Sequence, residues 1–277
     1  MREVQSLALI FLIVRPNRTR EYGRQLLELL TSQGGIYPPE EVEVWKQGET
    51  FERVKFLPEI QNTILDEWEG LRGPTKTFNL LRWNPVQVQI IVELDDFANF
   101  DSLSLHVAKS YFADFSNLSG FLEISRKLYS LLSPCYGDLS TWEMHRRVKS
   151  SSVESWPGTD LVRKGLPGIY WANFFGPEYV GMFGRNQLFS APCFKVEELP
   201  VGGALLILTE SPLDFERGPS VFEHRRDAVR RHLGIDAFYG DDSKPATRFP
   251  NFRFWKERQA LVEESLRRWK SQRGSRR

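Results

Sequence analysis

Cysteine is scarce in this chain: Cys135 and Cys193 are the only two in 277 residues. Two thiols make no disulfide framework, so the fold must be held by its core, and the usage fits a reducing compartment. The cytoplasm is the expected location. The apolar run Leu7–Val14 is eight residues long, far short of the roughly 20 that span a bilayer. Arg15-Pro16-Asn17 follows it, where a signal peptide would carry small residues. That run reads as a buried first strand, and no membrane partner is expected. Net charge is also small, +1, so the molecule as a whole has no field to draw it to nucleic acid.

The signatures of catalysis are missing as well. There are four histidines, His106, His145, His224 and His232. The last two stand eight apart, more than two helical turns, too far to chelate one ion. HExxH, CxxC, GxSxG, a P-loop and GxGxxG are all absent from the sequence. Glu93-Leu94-Asp95-Asp96 reads as an ordinary polar strand end, and Cys193 as a small core residue leading into Phe194–Leu199. Arg225, Arg226, Arg230 and Arg231 crowd one predicted helix, but Val221, Phe222, Ala228, Val229 and Leu233 take its other side, so the arginines form its solvated face. The expectation is a protein that is not an enzyme, with no cofactor, metal or nucleic acid.

Aromatic residues are plentiful: 20 Phe, 8 Trp and 8 Tyr. They are densest in GIYWANFFGPEYVGMFG, residues 168–184. Ile169–Phe175 has bulky groups on both parities, as a strand buried on both faces would. Gly176-Pro177 turns the chain into a short helix, with Tyr179, Val180 and Phe183 on one stripe and Glu178 in the first turn, where a carboxylate suits the helix dipole. Packing explains every aromatic in the stretch, so it reads as core.

Elsewhere the periods alternate. SLALIFLIV (6–14) is a buried strand and RTREYGRQLLELLTSQGG a helix stopped by Gly34-Gly35. Residues 36–74 carry only short elements, with a helix over Ile60–Glu69. TFNLLRW (77–83) and VQVQIIVEL (86–94) bracket Asn84-Pro85 as a hairpin with one wetter face. Helices follow over 117–134, 220–233 and 254–270, with strands at FKVEEL and ALLILTE. This irregular alternation indicates an α+β fold with a mixed or antiparallel sheet and packed helices. Residues 149–160, KSSSVESWPGTD, read as a linker between halves at 1–148 and 161–270, either one domain or two closely packed ones, and 271–277 as a disordered basic tail.

Charge is unevenly placed. Residues 38–70 carry nine acids against Lys46, Arg53 and Lys55, whereas 211–277 carry sixteen Lys and Arg against ten acids. Such polarity suits a surface that docks a charged partner. The candidate partner-binding residues are the acids Glu40, Glu41, Glu43, Glu49 and Glu52, with Tyr37 and Trp45 as aromatic anchors beside them. Trp45 fits equally well as a minor core residue.

The stretch PGIYWANFFGPEYVGMFG, continuing through RNQLFSAPCFKVEELPVGGALLILTESPLDF, resembles bacterial immunity proteins of polymorphic toxin systems, in particular the immunity protein 52 family. It is less similar to the related immunity proteins of type VI secretion effectors. The resemblance rests on the aromatic strand before Gly176-Pro177, the short helix, Ser190-Ala191-Pro192 and the strand pair ending in Ser211-Pro212-Leu213-Asp214, and it spans about 165–215. It implies a non-catalytic role in which the chain binds a cognate protein toxin in the producing cell. A basic nuclease toxin would suit the acidic 38–70 segment. The alternative is a non-catalytic interaction subunit of another prokaryotic defence or regulatory system.

Overall fold

A computed structural model describes residues 6–14, 18–31, 38–45, 52–69, 76–95, 98, 100–148, 161–162, 164–239 and 245–274. In chain order the first half gives β1 (Ser6–Ile13), α1 (Arg20–Thr31), β2 (Glu41–Trp45), β3 (Glu52–Lys55), α2 (Pro58–Glu69), β4 (Lys76–Arg82), β5 (Val88–Leu94), β6 (Asp101–Ala108), α3 (Phe115–Leu132) and β7 (Tyr136–Thr141). The second gives α4 (Trp142–Val148), β8 (Ala172–Phe175), α5 (Pro177–Phe183), α6 (Arg185–Phe189), β9 (Lys195–Leu199), β10 (Gly203–Ile207), α7 (Asp214–Arg217), α8 (Pro219–Leu233) and α9 (Trp255–Gly274). The class is α+β. No helix among the described residues is long and apolar enough to cross a membrane.

The chain divides into two compact units, each discontinuous in sequence. One holds residues 13–132 and 254–277, the other 1–12 and 133–253. The sequence places its division at 149–160 instead, a segment outside the described residues. The pairing of β1 with β7, Leu7 opposite Thr141 through Leu12 opposite Tyr136, joins the first strand to the second unit. Local periodicity carries no record of a partner more than 120 residues away.

In the first unit the strands run β3-β2-β4-β5-β6, paired antiparallel. Side chains alternate across a strand, and β5 shows it plainly: Val88, Ile90, Val92 and Leu94 are buried, while Gln89, Ile91 and Glu93 are partly exposed. Register carries the same division to the neighbours, so Phe78, Leu80, Leu103 and Leu105 share the apolar face. The helices α1, α2 and α3 bury Leu26, Leu27, Leu30, Ile64, Leu65, Trp68, Phe121 and Leu128. Tyr22 of α1 ties all three: its ring lies 6.2 Å from Trp68, and its hydroxyl donates to the Leu131 carbonyl at 2.9 Å. Burial pushes the Tyr22 hydroxyl pKa well up, which keeps it a donor.

Helix α9 begins with a buried ion network. Asp101 is fully buried, and Arg258 is 3% exposed. The Arg258 guanidinium donates to both Asp101 oxygens (3.1 and 3.3 Å) and to the carbonyls of Asp95 (2.5 Å) and Ala98 (3.0 Å). Arg18 adds contacts at 3.3 Å to the same carboxylate, and the Asp95 N–H a bond of 2.7 Å. The helix continues to Gly274, past 271, where the sequence reads as a disordered tail. Lys270 stands near the end of the helix, where a cation suits a C-terminus. Residues 275–277 are outside the described residues.

In the second unit the order is β1-β7-β8-β10-β9, again antiparallel. The stretch 168–184 lies at its centre. Tyr170, Trp171, Phe174, Phe175, Tyr179 and Phe183 are all buried, as their two-sided pattern predicts. The strand is shorter than the predicted 168–175: only Ala172–Phe175 pair. Before it the Asn173 carboxamide accepts from the Tyr170 N–H and donates to the Tyr170 carbonyl, both at 3.0 Å, closing a local turn instead of a ladder. Trp171 buries its ring and donates its indole N–H to the Thr209 carbonyl at 3.0 Å. Phe11 meets Phe174 edge-on at 5.1 Å. Gly137 makes room for that pair, since a Cβ there would fall 2.2 Å from the Phe11 ring. Gly176 is equally constrained, with the Cys135 and Pro134 carbonyls 2.7 Å from where a Cβ would sit.

Candidate binding surface

The second face of the β3-β2-β4-β5-β6 strands carries, beside Leu81 and Ile91, polar side chains that bond across the strands. Arg53 donates to the buried carboxylate of Glu43, with its Nε at 2.7 Å. Asn79 Nδ2 donates to the other Glu43 oxygen at 2.6 Å, and Gln89 Nε2 donates to Asn79 Oδ1 at 3.1 Å. Farther along, Ser102 donates to Glu93 at 2.9 Å. Burial pushes the Glu93 carboxyl above its usual pKa, the Ser102 bond opposes that, and the Asp95 charge adds to it.

At one end of this face stands Trp83, just past β4 and 41% exposed. Its backbone N–H donates to Glu40 (3.2 Å) and its indole N–H to Glu41 (3.0 Å). The Arg53 guanidinium lies 5.6 Å from the ring centre, a cation–π arrangement. Arg82 holds the flanking backbone through the Asn84 carbonyl at 2.6 Å and approaches Glu40 at 3.6 Å. Across Glu40, the N–H of Phe56 donates to its carbonyl at 2.9 Å, and the next residue, Leu57, is 50% exposed. An exposed indole fixed by its own neighbours has little rotamer freedom left to lose on being covered, which makes Trp83 a candidate anchor.

The sequence-predicted residues divide around this corner. Glu40 and Glu41 touch Trp83 directly. Glu52 is exposed on the edge strand β3, opposite Val44. Glu43 is consumed inside the strands by Arg53 and Asn79, so it offers no free charge to a partner. Tyr37 and Glu49 lie outside the described residues, as does the side chain of Trp45. Two of the predicted acids also meet arginines of their own surface, Glu41 at Arg53 (3.8 Å) and Glu40 at Arg82 (3.6 Å). The surface is therefore mixed in sign, not an acidic rim. In the sequence TFNLLRW reads as strand, which hides Trp83 as a surface residue. The signal available was its place beside Asn84-Pro85, at a hairpin end, where a large aromatic has less to pack against.

Other polar clusters lie in the second unit. His145 Nε2 lies 3.1 Å from Asp138 in the second unit, and Ser140 Oγ donates to the same Asp138 oxygen at 2.8 Å. The serine thus faces the acid instead of the imidazole, the reverse of a nucleophile–base pair. Cys193 is half-buried with its thiol against the Lys195 carbonyl at 3.4 Å, and burial raises its pKa, which disfavours the reactive thiolate. Among the described residues no three His, Cys, Asp or Glu gather to hold a metal ion. Glu178 accepts from the Arg253 N–H at 3.3 Å.

No family model and no curated protein matches the chain, so the likeness of 165–215 to the immunity protein 52 family stays a resemblance. Among solved structures, the chain is similar to the Pseudomonas aeruginosa T6SS protein PA0821, at 13% identity and a TM-score of 0.48, over 94% of this chain and 84% of that one. It is also similar to a chain of the toxic C-terminal tip of CdiA from Pseudomonas aeruginosa in complex with immune protein, at 10% identity and a TM-score of 0.32, over 50% of this chain and 86% of that one. At these scores neither likeness bears on function.

Proposed function

We propose that this chain is an immunity protein that binds a cognate protein toxin and neutralises it by occlusion, with no catalysis of its own. The observation that carries the reading is the Trp83 corner, an exposed aromatic held in place by Glu40, Glu41 and Arg53. The sequence resemblance over 165–215 supports the identity of the partner as a toxin, and the paired charges around Trp83 suit a protein surface better than a polyanion. Self-protection requires tight binding, and nanomolar affinity corresponds to about −12 kcal/mol. Affinity of that order rests on a few desolvated anchors. The work takes place in the producing cell's cytoplasm, where the chain meets its toxin before secretion.

The test is co-expression with the toxin encoded beside this gene. The native chain should restore growth, and Trp83→Ala should weaken binding about thirtyfold or more, the equivalent of a hot-spot loss of about 2 kcal/mol. Glu40→Lys with Glu41→Lys should do the same, whereas Glu43→Lys would test the strands and not the surface. Undiminished affinity in Trp83→Ala would remove this corner from the interface. Failure of the native chain to protect against any neighbouring toxin would remove the immunity reading itself.

A further inference from the structure

The second unit carries a groove that the Trp83 corner does not involve. It has a volume of ≈ 400 Å³ and is lined by Pro192, Ser220, Val221, His224, Arg225 and Ala228. That volume falls within the range of binding sites, of order 300–1,000 Å³. Its apolar part is unusually bare: Val221 is 64% exposed. Phe194, two residues beyond Pro192, is also an exposed large hydrophobic.

The charge here is uncompensated. Arg225 donates one bond, from Nη1 to the Leu208 carbonyl at 3.3 Å, which fixes the guanidinium in place. Among the described residues it has no carboxylate partner, whereas Arg226 and Arg230 on the same helix both approach Asp227. A guanidinium presents five N–H donors in a planar fork that matches a carboxylate. The side chains of Ser220 and His224 stand beside it and make no hydrogen bond to another described group. Helix α8 as a whole has four arginines against Glu223 and Asp227, so the local field also favours an anion.

We infer that this groove docks an acidic, apolar segment of a partner protein, with a carboxylate on Arg225 and a neighbouring aliphatic or aromatic side chain over Val221 and Pro192. The exposure of the lining residues decides for a segment over a small molecule. Small-molecule sites bury most of their ligand, and a wall that is itself largely exposed cannot do so. A segment anchored in a larger partner needs only one carboxylate and one apolar residue from this site. The inference does not depend on the partner at Trp83.

Display of random octapeptides against the full chain tests it. The expected consensus is Asp or Glu adjacent to Leu, Ile or Phe, and a synthetic peptide of that consensus should shift the amide resonances of residues 193–194 and 220–228. Replacing its acid by the amide should weaken binding at least tenfold, as should Arg225→Gln. Val221→Asp changes an exposed residue, so the fold is kept while an acid is placed in the groove, and it should abolish binding. A consensus without an acid, no consensus at all, or equal binding to Val221→Asp would overturn the proposal. Saturable binding of octanoate with the same resonance shifts and the same Arg225 dependence, but no peptide binding, would overturn the choice of a protein segment.

Discussion

Arg258→Ala gives the sharpest test of how the C-terminal helix is held. The wild-type guanidinium satisfies four acceptors: two Asp101 oxygens and the carbonyls of Asp95 and Ala98. Asp101 is fully buried, so its charge has little water to fall back on. Truncation leaves Arg18 and the Asp95 N–H on the carboxylate, so the acid keeps part of its compensation. Removing one partner of a buried ion pair costs about 3–5 kcal/mol. The Asp95 and Ala98 carbonyls are part-buried, and the Asp95 carbonyl keeps the Ala98 N–H at 3.4 Å, so their loss adds less than the about 1–3 kcal/mol of a fully stranded group. A loss of about 3–5 kcal/mol follows for the unit formed by 13–132 and 254–277. Urea unfolding should show it as a lower midpoint with an unchanged slope, and hydrogen exchange should show amides of α9 opening first. Arg258→Lys should recover little, because one ammonium cannot span the three sites that the planar fork reaches. The double variant with Asp101→Asn should lose less than the two single losses together, since the charge left stranded in Arg258→Ala is then absent. A cost under 1 kcal/mol for Arg258→Ala would show that the network does not hold the helix.

Trp171→Ala should destabilise the chain by about 3–5 kcal/mol, the range for losing a large buried aromatic, because the ring is fully buried and its N–H is bonded to Thr209; soluble, normally stable Trp171→Ala protein in thermal melts would refute a core role. Glu93 has its carboxyl pKa raised by burial, so the folded chain binds this proton more tightly than the unfolded one. Its contribution to stability is therefore greatest at low pH and declines as pH rises from the ordinary glutamate value, about 4.3, through the raised one. Glu93→Gln should remove that decline, raising the melting temperature at pH 7 relative to wild type but not at pH 4, and a difference independent of pH would refute it.

The fold was legible where burial is one-dimensional. Alternation in VQVQIIVEL places Val88, Ile90 and Val92 inside, and the two-sided bulk of 169–175 marks the center of the second unit, because both patterns record the environment of each residue directly. Strand β6, DSLSLHVA, is hard to read in the sequence because it buries polar residues on both parities: Ser102 and Ser104 on one, Asp101 on the other. Polar residues in a strand look like a loop until the groups that bond Ser102 and Asp101, namely Glu93 and Arg258, are known. Strand β7, YGDLST, was hidden in the same way by Gly137 and Asp138.

The Trp83 corner shows the same limit at a surface. An acidic run in sequence is a statement about formal charge, while a partner meets only the charge that neighbours leave unpaired. Glu43 and Glu41 both face Arg53, drawn from the adjacent strand by the antiparallel register of Glu43 opposite Arg53 and Glu41 opposite Lys55. Strand pairing thus turns an apparent acidic stripe into a surface of mixed sign. What that surface presents is the Trp83 ring, whose position depends on Glu40 and Glu41 more than 40 residues earlier. The acids of the hairpin therefore act first on their own chain, orienting the indole, and their reversal should weaken a partner through the loss of that orientation as well as through charge. Glu41→Gln separates the two: it keeps an acceptor for the indole N–H but removes the charge, so near-native affinity in Glu41→Gln together with a large loss in Glu41→Lys would place the weight on orientation, and equal losses in both would place it on charge.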